Sequence, residues 1–470
     1  MTLATAAAIL EPETAWTTLG PGFSDAVRAA DFPQTMLRFR NQKWAQRVGL
    51  GGIDDDEWIA HFGRFQAIEG SLPQPQALRY HGHQFRVYNP DIGDGRGFLF
   101  AQLRDGPRDD RRSRLLDLGT KGSGTTPYSR SGDGRLTLKG GVREILATEM
   151  LEALGVYSSK TFSLIETGEQ LHRGDEPSPT RSAVLVRLSH GHVRIGAFQR
   201  LAAEGDGDRI ARLIDYCLRE LYREPVGDAP AIQLLGRVVE RAADLAASYM
   251  VAGFVHGVLN SDNINVTGES FDYGPWRFTP FWEAGFTAAY FDHQGLYAFG
   301  RQAEAIHWDV AQLAIAMRQL VDAPPLVEQL ERFPDLYARA LARRFLWRWG
   351  LASADHEAAS TLVQAAVRAM IESGTTIDRF FHDWRGSAPA SGYDSEAWQA
   401  VRDLLPGFSS LPGARDADYW SDDAPCSMHI EEVEAIWAAI AERDDWQPLH
   451  DKVAAIRQMG RALGDAPPPP

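Results

Sequence analysis

Three polar side chains, Asp262, Asn263 and Asp272, have the types and spacing for divalent-metal and proton-transfer chemistry. They fall in the stretch His256 to Pro275, which reads HGVLNSDNINVTGESFDYGP. The runs 264–267 and 270–273 read as short strands, and a tight hairpin turning at Thr267-Gly268 sets Asn263 opposite Asp272. An amide oxygen facing a carboxylate is a hard-oxygen site suited to Mg²⁺, with positions left for waters and substrate phosphates. A surface hairpin with ordinary polar residues is the other reading of the same letters.

The lead-in to this stretch resembles the catalytic loop of kinase-like phosphotransferases. There, His-Gly-Asp or His-Arg-Asp is followed, after four intervening residues, by a metal-binding Asn. His256-Gly257 and Asn263 match, but Val258 stands where the catalytic Asp belongs. A valine accepts no proton, and the nearest carboxylate is Asp262, immediately before the Asn. Ordinary γ-phosphoryl transfer is therefore not what this loop implies.

Elements that could position such a site precede it. Strand-like runs at 84–88 and 97–103 flank Gly93-Asp94-Gly95-Arg96. The two glycines allow positive φ and a close backbone approach to phosphate, and Arg96 adds a charged donor. A plain hairpin turn fits these residues as well, and Asp94 sits awkwardly in a phosphate loop. A charged segment, 104–114, reads as a solvated loop. The run 115–121 reads as a strand with an inward lysine, Lys121, and a polar segment containing Asp133-Gly134-Arg135 leads into a helix over 138–154. Glu144 on that helix makes a Lys–Glu pair with Lys121 of the kind that kinase folds use to hold the lysine against ATP. An exposed lysine and a surface glutamate are the alternative. Runs 157–165 and 169–171 read as paired strands around Thr167-Gly168, and 182–188 as a buried strand carrying Arg187. Arg187 and the nearby Arg194 require anionic partners, either a phosphate or a structural carboxylate.

Beyond residue 200 the pattern is helical, at 209–224, 232–252, 303–320, 326–349, 356–373, 396–405 and 431–441. The N-terminal residues 1–16 read as a mobile tail, with one helix expected over 55–68. Strands first, then helices, with a catalytic hairpin between helices, fit an α+β, two-lobed architecture. The chain has 470 residues, 44% hydrophobic and 24% charged, the composition of an ordinary globular protein. Its net charge of −15 argues against a general nucleic-acid binder. Two distant cysteines, Cys217 and Cys426, give neither a disulfide framework nor a zinc spacing. No apolar run is long enough for a bilayer, and the cytoplasm is the expected location.

Together, GHQF with GDGR, TKGSGTTPYSRSGDGR with VREIL, VLVRL with VRIGAFQ, and HGVLNSDN with DYGP resemble the selenoprotein O family of protein adenylyltransferases. The likeness spans about Tyr80 to Leu313. It implies a two-lobed protein-kinase-like fold that binds ATP in reversed orientation and transfers AMP to Ser, Thr or Tyr hydroxyls of proteins. It implies nucleotide contacts from Gly93, Gly95 and Arg96, a phosphate-holding Lys121 kept by Glu144, and a pocket lined by Asp133 and Gly134. Arg187 and Arg194 would grip the distal phosphates. Asp262 would be the proton acceptor, and Asn263 and Asp272 would bind Mg²⁺ or Mn²⁺, Asp272 also facing the nucleotide. Arg86, Thr126 and Lys139-Gly140-Gly141 depart from the family pattern, which bears on substrate choice. The implied organisation is an N-terminal extension (1–75), an N-lobe with nucleotide loops (76–200), a C-lobe with the catalytic hairpin (201–322) and a helical C-terminal region with a disordered tail (323–470). An atypical phosphotransferase and a non-catalytic ATP-binding scaffold are the alternative functions. The oligomeric state is left open.

Overall fold

The computed structural model describes residues 8–470 apart from positions 175, 354 and 390. Strands come first: β1 (Pro12–Glu13), β2 (Ser24–Ala26), β3 (Met36–Arg40), β4 (Gln76–Leu78), β5 (Gly82–Gln84), β6 (Val87–Asn89), β7 (Leu99–Arg104), β8 (Leu115–Lys121), β9 (Leu136–Thr137), β10 (Lys160–Leu171) and β11 (Thr180–Ser189). Nine of these form one antiparallel sheet with the path β2-β4-β7-β8-β11-β10-β3, to which β1 adds on β7 and β9 on β11. Both faces of the central strands are covered, so β7 and β8 are buried along their whole length, and their polar side chains find partners inside, as Gln102 does in donating to Asp117 at 2.7 Å.

Three helices interrupt the strands: α1 (Gln42–Arg47), α2 (Asp55–Phe62) and α3 (Leu138–Ala153). The Thr137 hydroxyl caps α3 by accepting from the Gly140 N–H at 3.2 Å. The helical remainder comprises α4 (Ile195–Ala203), α5 (Gly207–Tyr216), α6 (Pro230–Ala252), α7 (Gln302–Met317), α8 (Ala323–Glu331), α9 (Phe333–Trp349), α10 (His356–Ser373), α11 (Ile377–Asp383), α12 (Gln399–Leu404), α13 (Ile430–Arg443) and α14 (Gln447–Leu463). One core joins α3 to the sheet and to α4–α7, and a second gathers α9–α12 around Trp349, Phe380, Trp384 and Trp398. The chain is thus a mixed α/β protein with strands ahead of most helices. No helix among the described residues is long and apolar enough to cross a membrane.

Several local expectations change. Residues 1–7 of the expected tail lie outside the described residues, but from Pro12 the chain is a strand and Trp16 is buried. Runs 157–165 and 169–171 do not pair with each other; β10 passes straight through them, and a bulge at Gly168 (φ +75°) shifts its register against β11. The segment 104–114 is not simply solvated, because Arg104 is buried between Glu13 and Glu220, the latter at 2.8 Å. The single helix expected over 326–349 is two, divided before Pro334, which takes an early position in α9 where no intrahelical N–H is needed. Helices α1, α4, α11 and α14 were not anticipated. In α14, Leu449, Val453, Ile456, Met459 and Leu463 recur at helical spacing and are all buried. That face packs on α3, where Arg457 of α14 bonds Glu149 of α3 at 2.6 Å. At the carboxyl end, Ala466 packs against the core rather than trailing away.

Candidate active site

A cavity of about 550 Å³ opens between the sheet and the segments that follow it. Gly93, Gly95, Arg96, Lys121, Asp133, Gly134, Arg187, Arg194 and Asp272 all line it. Register explains part of this convergence. Lys121 ends β8 opposite Leu185 of β11, and Arg187 lies two residues further along β11, opposite Gly119. Residues two apart on a strand share a face. Gly119 is needed there because a Cβ would lie 2.5 Å from the His192 ring.

Lys121 is held from behind by Glu144 of α3, a buried pair, and from in front by Asp272 at 2.9 Å. The alternative of an exposed lysine and a surface glutamate is therefore excluded. Asp272 is also 3.5 Å from Arg187 and 4.0 Å from Arg194. Burial alone would raise its carboxyl, but Lys121, Arg187, Arg194 and Arg96 outweigh burial and hold it well below the usual carboxylate range. Its φ of +63° is unusual for a residue with a side chain. The backbone tolerates this because its neighbours are fixed: Phe271 O accepts from His256 Nε2 at 3.0 Å, and Tyr273 OH donates to Ser270 Oγ at 2.8 Å.

Arg194 is the hub. Its guanidinium donates to Tyr80 OH and the Asp262 carbonyl, each at 3.2 Å, and pairs with Asp94 at 3.2 Å. It lies over the Tyr80 and Phe271 rings, 4.3 and 4.9 Å from their centroids. Asp94 is thereby explained as the counter-ion of Arg194, and it also accepts from the Leu78 N–H at 3.0 Å. Arg187 is left with more donors than acceptors. Its Nε and Nη1 are buried without a hydrogen-bond partner among the described residues, a state that suits an incoming anion.

The glycines act differently from expectation. Neither Gly93 nor Gly95 has positive φ. A Cβ at Gly93 would sit 2.5 Å from the Tyr128 ring, and one at Gly95 would lie 2.9 Å from the Tyr128 carbonyl. They let the 93–96 turn lie against residues 128–129, while Gly134 does take φ +70°. Nor does this turn join the two strands expected to flank it. The first of those runs folds back on itself, as β5 and β6 close a separate hairpin at Phe85-Arg86. Arg173, unforeseen from the sequence, lines the cavity and forks onto Asp133 at 2.8 and 3.1 Å.

The hairpin expected over 264–273 does not form. A turn is present, with Gly268 N–H donating to Asn265 O at 2.9 Å, but its arms pair with other segments. Val266 N bonds Val193 O at 2.9 Å, and Ser270 N bonds Tyr157 O at 2.8 Å. Asp262 and Asn263 instead occupy a short 3₁₀ turn, Ser261–Asn263. The Asn263 amide nitrogen donates to Val258 O at 2.9 Å, a bond that does not use its side-chain oxygen. Asp262 is nearly buried, and one of its carboxylate oxygens has no partner among the described residues. Burial pushes its carboxyl up to about 6, against the lowering effect of Arg194 and of a hydrogen bond from Gln84. Gly82 touches the same carboxylate, since a Cβ there would lie 2.9 Å from Oδ1. Gly82 and Gln84 belong to the GHQF motif, which was the only sequence signal for this contact.

Three cations around Asp272 thus line a cavity of nucleotide size, while Asp262 and Asn263 lie outside its lining, Asp262 joined to it through the bond from Arg194 to its backbone carbonyl. A family model described as protein adenylyltransferase SelO matches residues 7–403. The chain belongs to the SelO family. Relatives named protein nucleotidyltransferase YdiU agree along most of their length. One from Synechocystis sp. is 40% identical over 95% of this chain and 97% of its own. One from Gloeobacter violaceus is 41% identical over 96% and 95%. A more distant one, from Vibrio parahaemolyticus, is 31% identical over 84% and 76%. SelO membership makes this chain a nucleotidyltransferase of the protein adenylyltransferase class.

Proposed function

We propose that the chain transfers AMP from ATP to Ser, Thr or Tyr hydroxyls of proteins and releases pyrophosphate, within a two-lobed kinase-like arrangement. Residues 76–200 would form the nucleotide-binding half and 201–322 the half that carries the catalytic turn. The observation that carries the reading is the cluster of Lys121, Arg187 and Arg194 around Asp272, joined through Arg194 to Asp262.

In this reading Asp262 takes the proton of the acceptor hydroxyl. Its raised affinity for protons makes it a stronger base than an exposed aspartate, while it stays largely ionised at pH 7. The hydroxyl oxygen bonds to the α-phosphorus as the bond to the β-phosphate oxygen breaks, and the electrons leave with pyrophosphate. Lys121, Arg187 and Arg194 hold the departing phosphates, and Arg187 Nε and Nη1, which make no hydrogen bond among the described residues, match that task. Gly93, Gly95, Arg96, Asp133 and Gly134 shape the pocket around the rest of the nucleotide. Asn263 and Asp272 offer hard oxygens and would hold Mg²⁺, or Mn²⁺ in its place. The ion would neutralise charge on the phosphates. The absence of a carboxylate at Val258 agrees with attack at the α- rather than the γ-phosphate.

The test is incubation with ATP labelled separately on the α- and γ-phosphates, Mg²⁺ and a protein acceptor mixture. Label from the α-phosphate alone, lost in Asp262→Asn, is the expected result. Transfer of γ-label would replace the reading with an atypical kinase, and ATP binding without transfer of either label would leave a scaffold.

A further inference from the structure

Four buried side-chain atoms on residues that line the cavity lack a hydrogen-bond partner among the described residues: Arg187 Nε and Nη1, Arg194 Nε and His192 Nε2. The departing phosphates account for the arginines, but the histidine is not part of that grip. Its ring is 6% exposed, and its Nδ1 lies 3.3 Å from Asp117 Oδ2. Asp117 is more deeply buried still, and its other oxygen accepts from the Gln102 amide at 2.7 Å. No Arg or Lys pairs with Asp117 among the described residues, so the His192 ring is the one group placed to give this carboxylate a counter-charge.

The other edge of the ring points to the phosphate end of the cavity. It lies over Gly119, where a Cβ would sit 2.5 Å from Nε2. Gly119 stands opposite Arg187 in the β8–β11 register, and Lys121 follows two residues on, on the same face. The Phe271 ring gathers the group from the far side. His192 meets it edge-on at 6.2 Å, and the guanidinium groups of Arg187 and Arg194 lie 5.7 and 4.9 Å from its centroid. His192 thus stands among Lys121, Arg187 and Arg194, whose internal carboxylates are Asp94 and Asp272. The arginine nitrogens can only donate, and an imidazole nitrogen turned to a carboxylate carries a proton. Orphan donors gathered in one place want an oxyanion. A ring protonated on Nε2 as well answers Asp117 on one edge and a phosphate on the other.

We propose that His192 is a further phosphate ligand: Asp117 holds its Nδ1–H, and its Nε2–H donates to an oxygen of the distal phosphates, a contact kept with the departing pyrophosphate. The inference rests on the adenylyltransferase reading for which phosphates depart, and adds a fourth cation to their grip. In the empty cavity Lys121, Arg187 and Arg194 oppose a charge on the ring, while Asp94, Asp117 and Asp272 favour it. An incoming phosphate tips that balance, so binding takes up a proton from solvent, and release of pyrophosphate returns it. Loss of one such charge-assisted bond corresponds to about 10–100-fold in affinity.

The experiment is titration calorimetry of inorganic pyrophosphate into the full chain at neutral pH, in EDTA and in two buffers of different ionisation enthalpy. His192→Phe should bind pyrophosphate about 10–100-fold more weakly than wild type. Wild type should also take up more protons on binding than this variant, by up to about one per site, a difference that cancels the ligand's own proton changes. His192→Gln, whose amide brings an N–H to the same edge, should recover part of the affinity without the extra proton. Adenosine, which has no phosphate, should bind all three proteins alike. A measurement on the unaltered chain guards against a variant that fails to fold: nitrogen NMR of the imidazole should show both His192 nitrogens protonated once pyrophosphate is bound. Unchanged pyrophosphate affinity in His192→Phe, or a wild-type Nε2 that stays unprotonated, would overturn the proposal. Weaker adenosine binding with unchanged pyrophosphate affinity would assign Nε2 to a ribose hydroxyl and overturn it too. Pyrophosphate binding that depends on His192, without transfer of α-label, would keep the ligand and refute the reaction.

Discussion

Replacing Asp262 by Asn should abolish transfer and make the protein more stable. Burial lifts the Asp262 carboxyl to about 6. Raising a carboxyl from its ordinary value of about 4 to about 6 corresponds to roughly 3 kcal/mol of folding free energy. The sign follows from proton binding. Between pH 4 and 6 the folded state holds a proton that the unfolded chain has lost, so stability falls as pH rises through that window. Above it the deficit is constant. Asn has no such charge and still accepts the Gln84 hydrogen bond, so the variant's advantage should be absent near pH 4 and complete above about pH 6.5. For a chain of this length the unfolding entropy is on the order of 1 kcal/mol/K, and the full effect is a rise of about 3 °C in Tm if unfolding is cooperative. The assay is calorimetry of both proteins from pH 4 to 8, alongside α-label transfer. Transfer should fall by about 10²–10⁴ on loss of a general base, and wild-type kcat/KM should climb with pH through about 6. A variant that is inactive but no more stable at pH 7.5 than wild type, or one whose stability gain does not vary with pH, would refute the argument that desolvation tunes Asp262.

Three further outcomes follow from the same geometry. Asp272→Asn removes the internal counter-ion of Lys121, Arg187 and Arg194, so titration calorimetry in EDTA should show tighter ATP binding while turnover with Mg²⁺ drops at least about 10²-fold; weaker metal-free binding would contradict it. Gly82→Ala places a methyl against the Asp262 carboxylate, at a cost of about 1–3 kcal/mol, and should lower kcat in steady-state assays with a normal circular dichroism spectrum; unchanged kcat would show that the hairpin does not bear on the base. Arg457→Met strips Glu149 of its α14 partner and should lower stability in urea titrations by about 2 kcal/mol; a change below half of that would mean that α14 does not brace α3.

What could be read from the sequence were residues whose meaning is local or carried by a motif. Lys121 ends an apolar run and Glu144 sits on a helix with clear periodicity, so their pairing needs only that the helix pack on the strand. The α10 boundaries, His356–Ser373, matched because Asp355 caps its start and Gly374 closes its end. The failures around the catalytic turn and the 93–96 turn share a cause, which is that their partners are set at long range. Symmetry about Thr267-Gly268 suggested that two neighbouring runs pair, whereas the 157–159 and 193–195 segments take the same backbone groups. Gly93 and Gly95 drew attention as glycines, but the reason for them, the ring and carbonyl of Tyr128, lies some thirty residues away. Gln84 and Gly82 carry no local sign that they will touch Asp262.

The contact between α14 and α3 also orders events in time. Every residue that lines the cavity lies between Leu78 and Asp272, whereas the brace on the helix that carries Glu144 begins at Gln447. A ribosome therefore finishes the walls of the pocket some two hundred residues before it makes the prop that steadies the lysine's partner. A chain made only as far as Asp272 therefore holds the residues that line the pocket but not Arg457, the partner of Glu149 on the helix that carries Glu144.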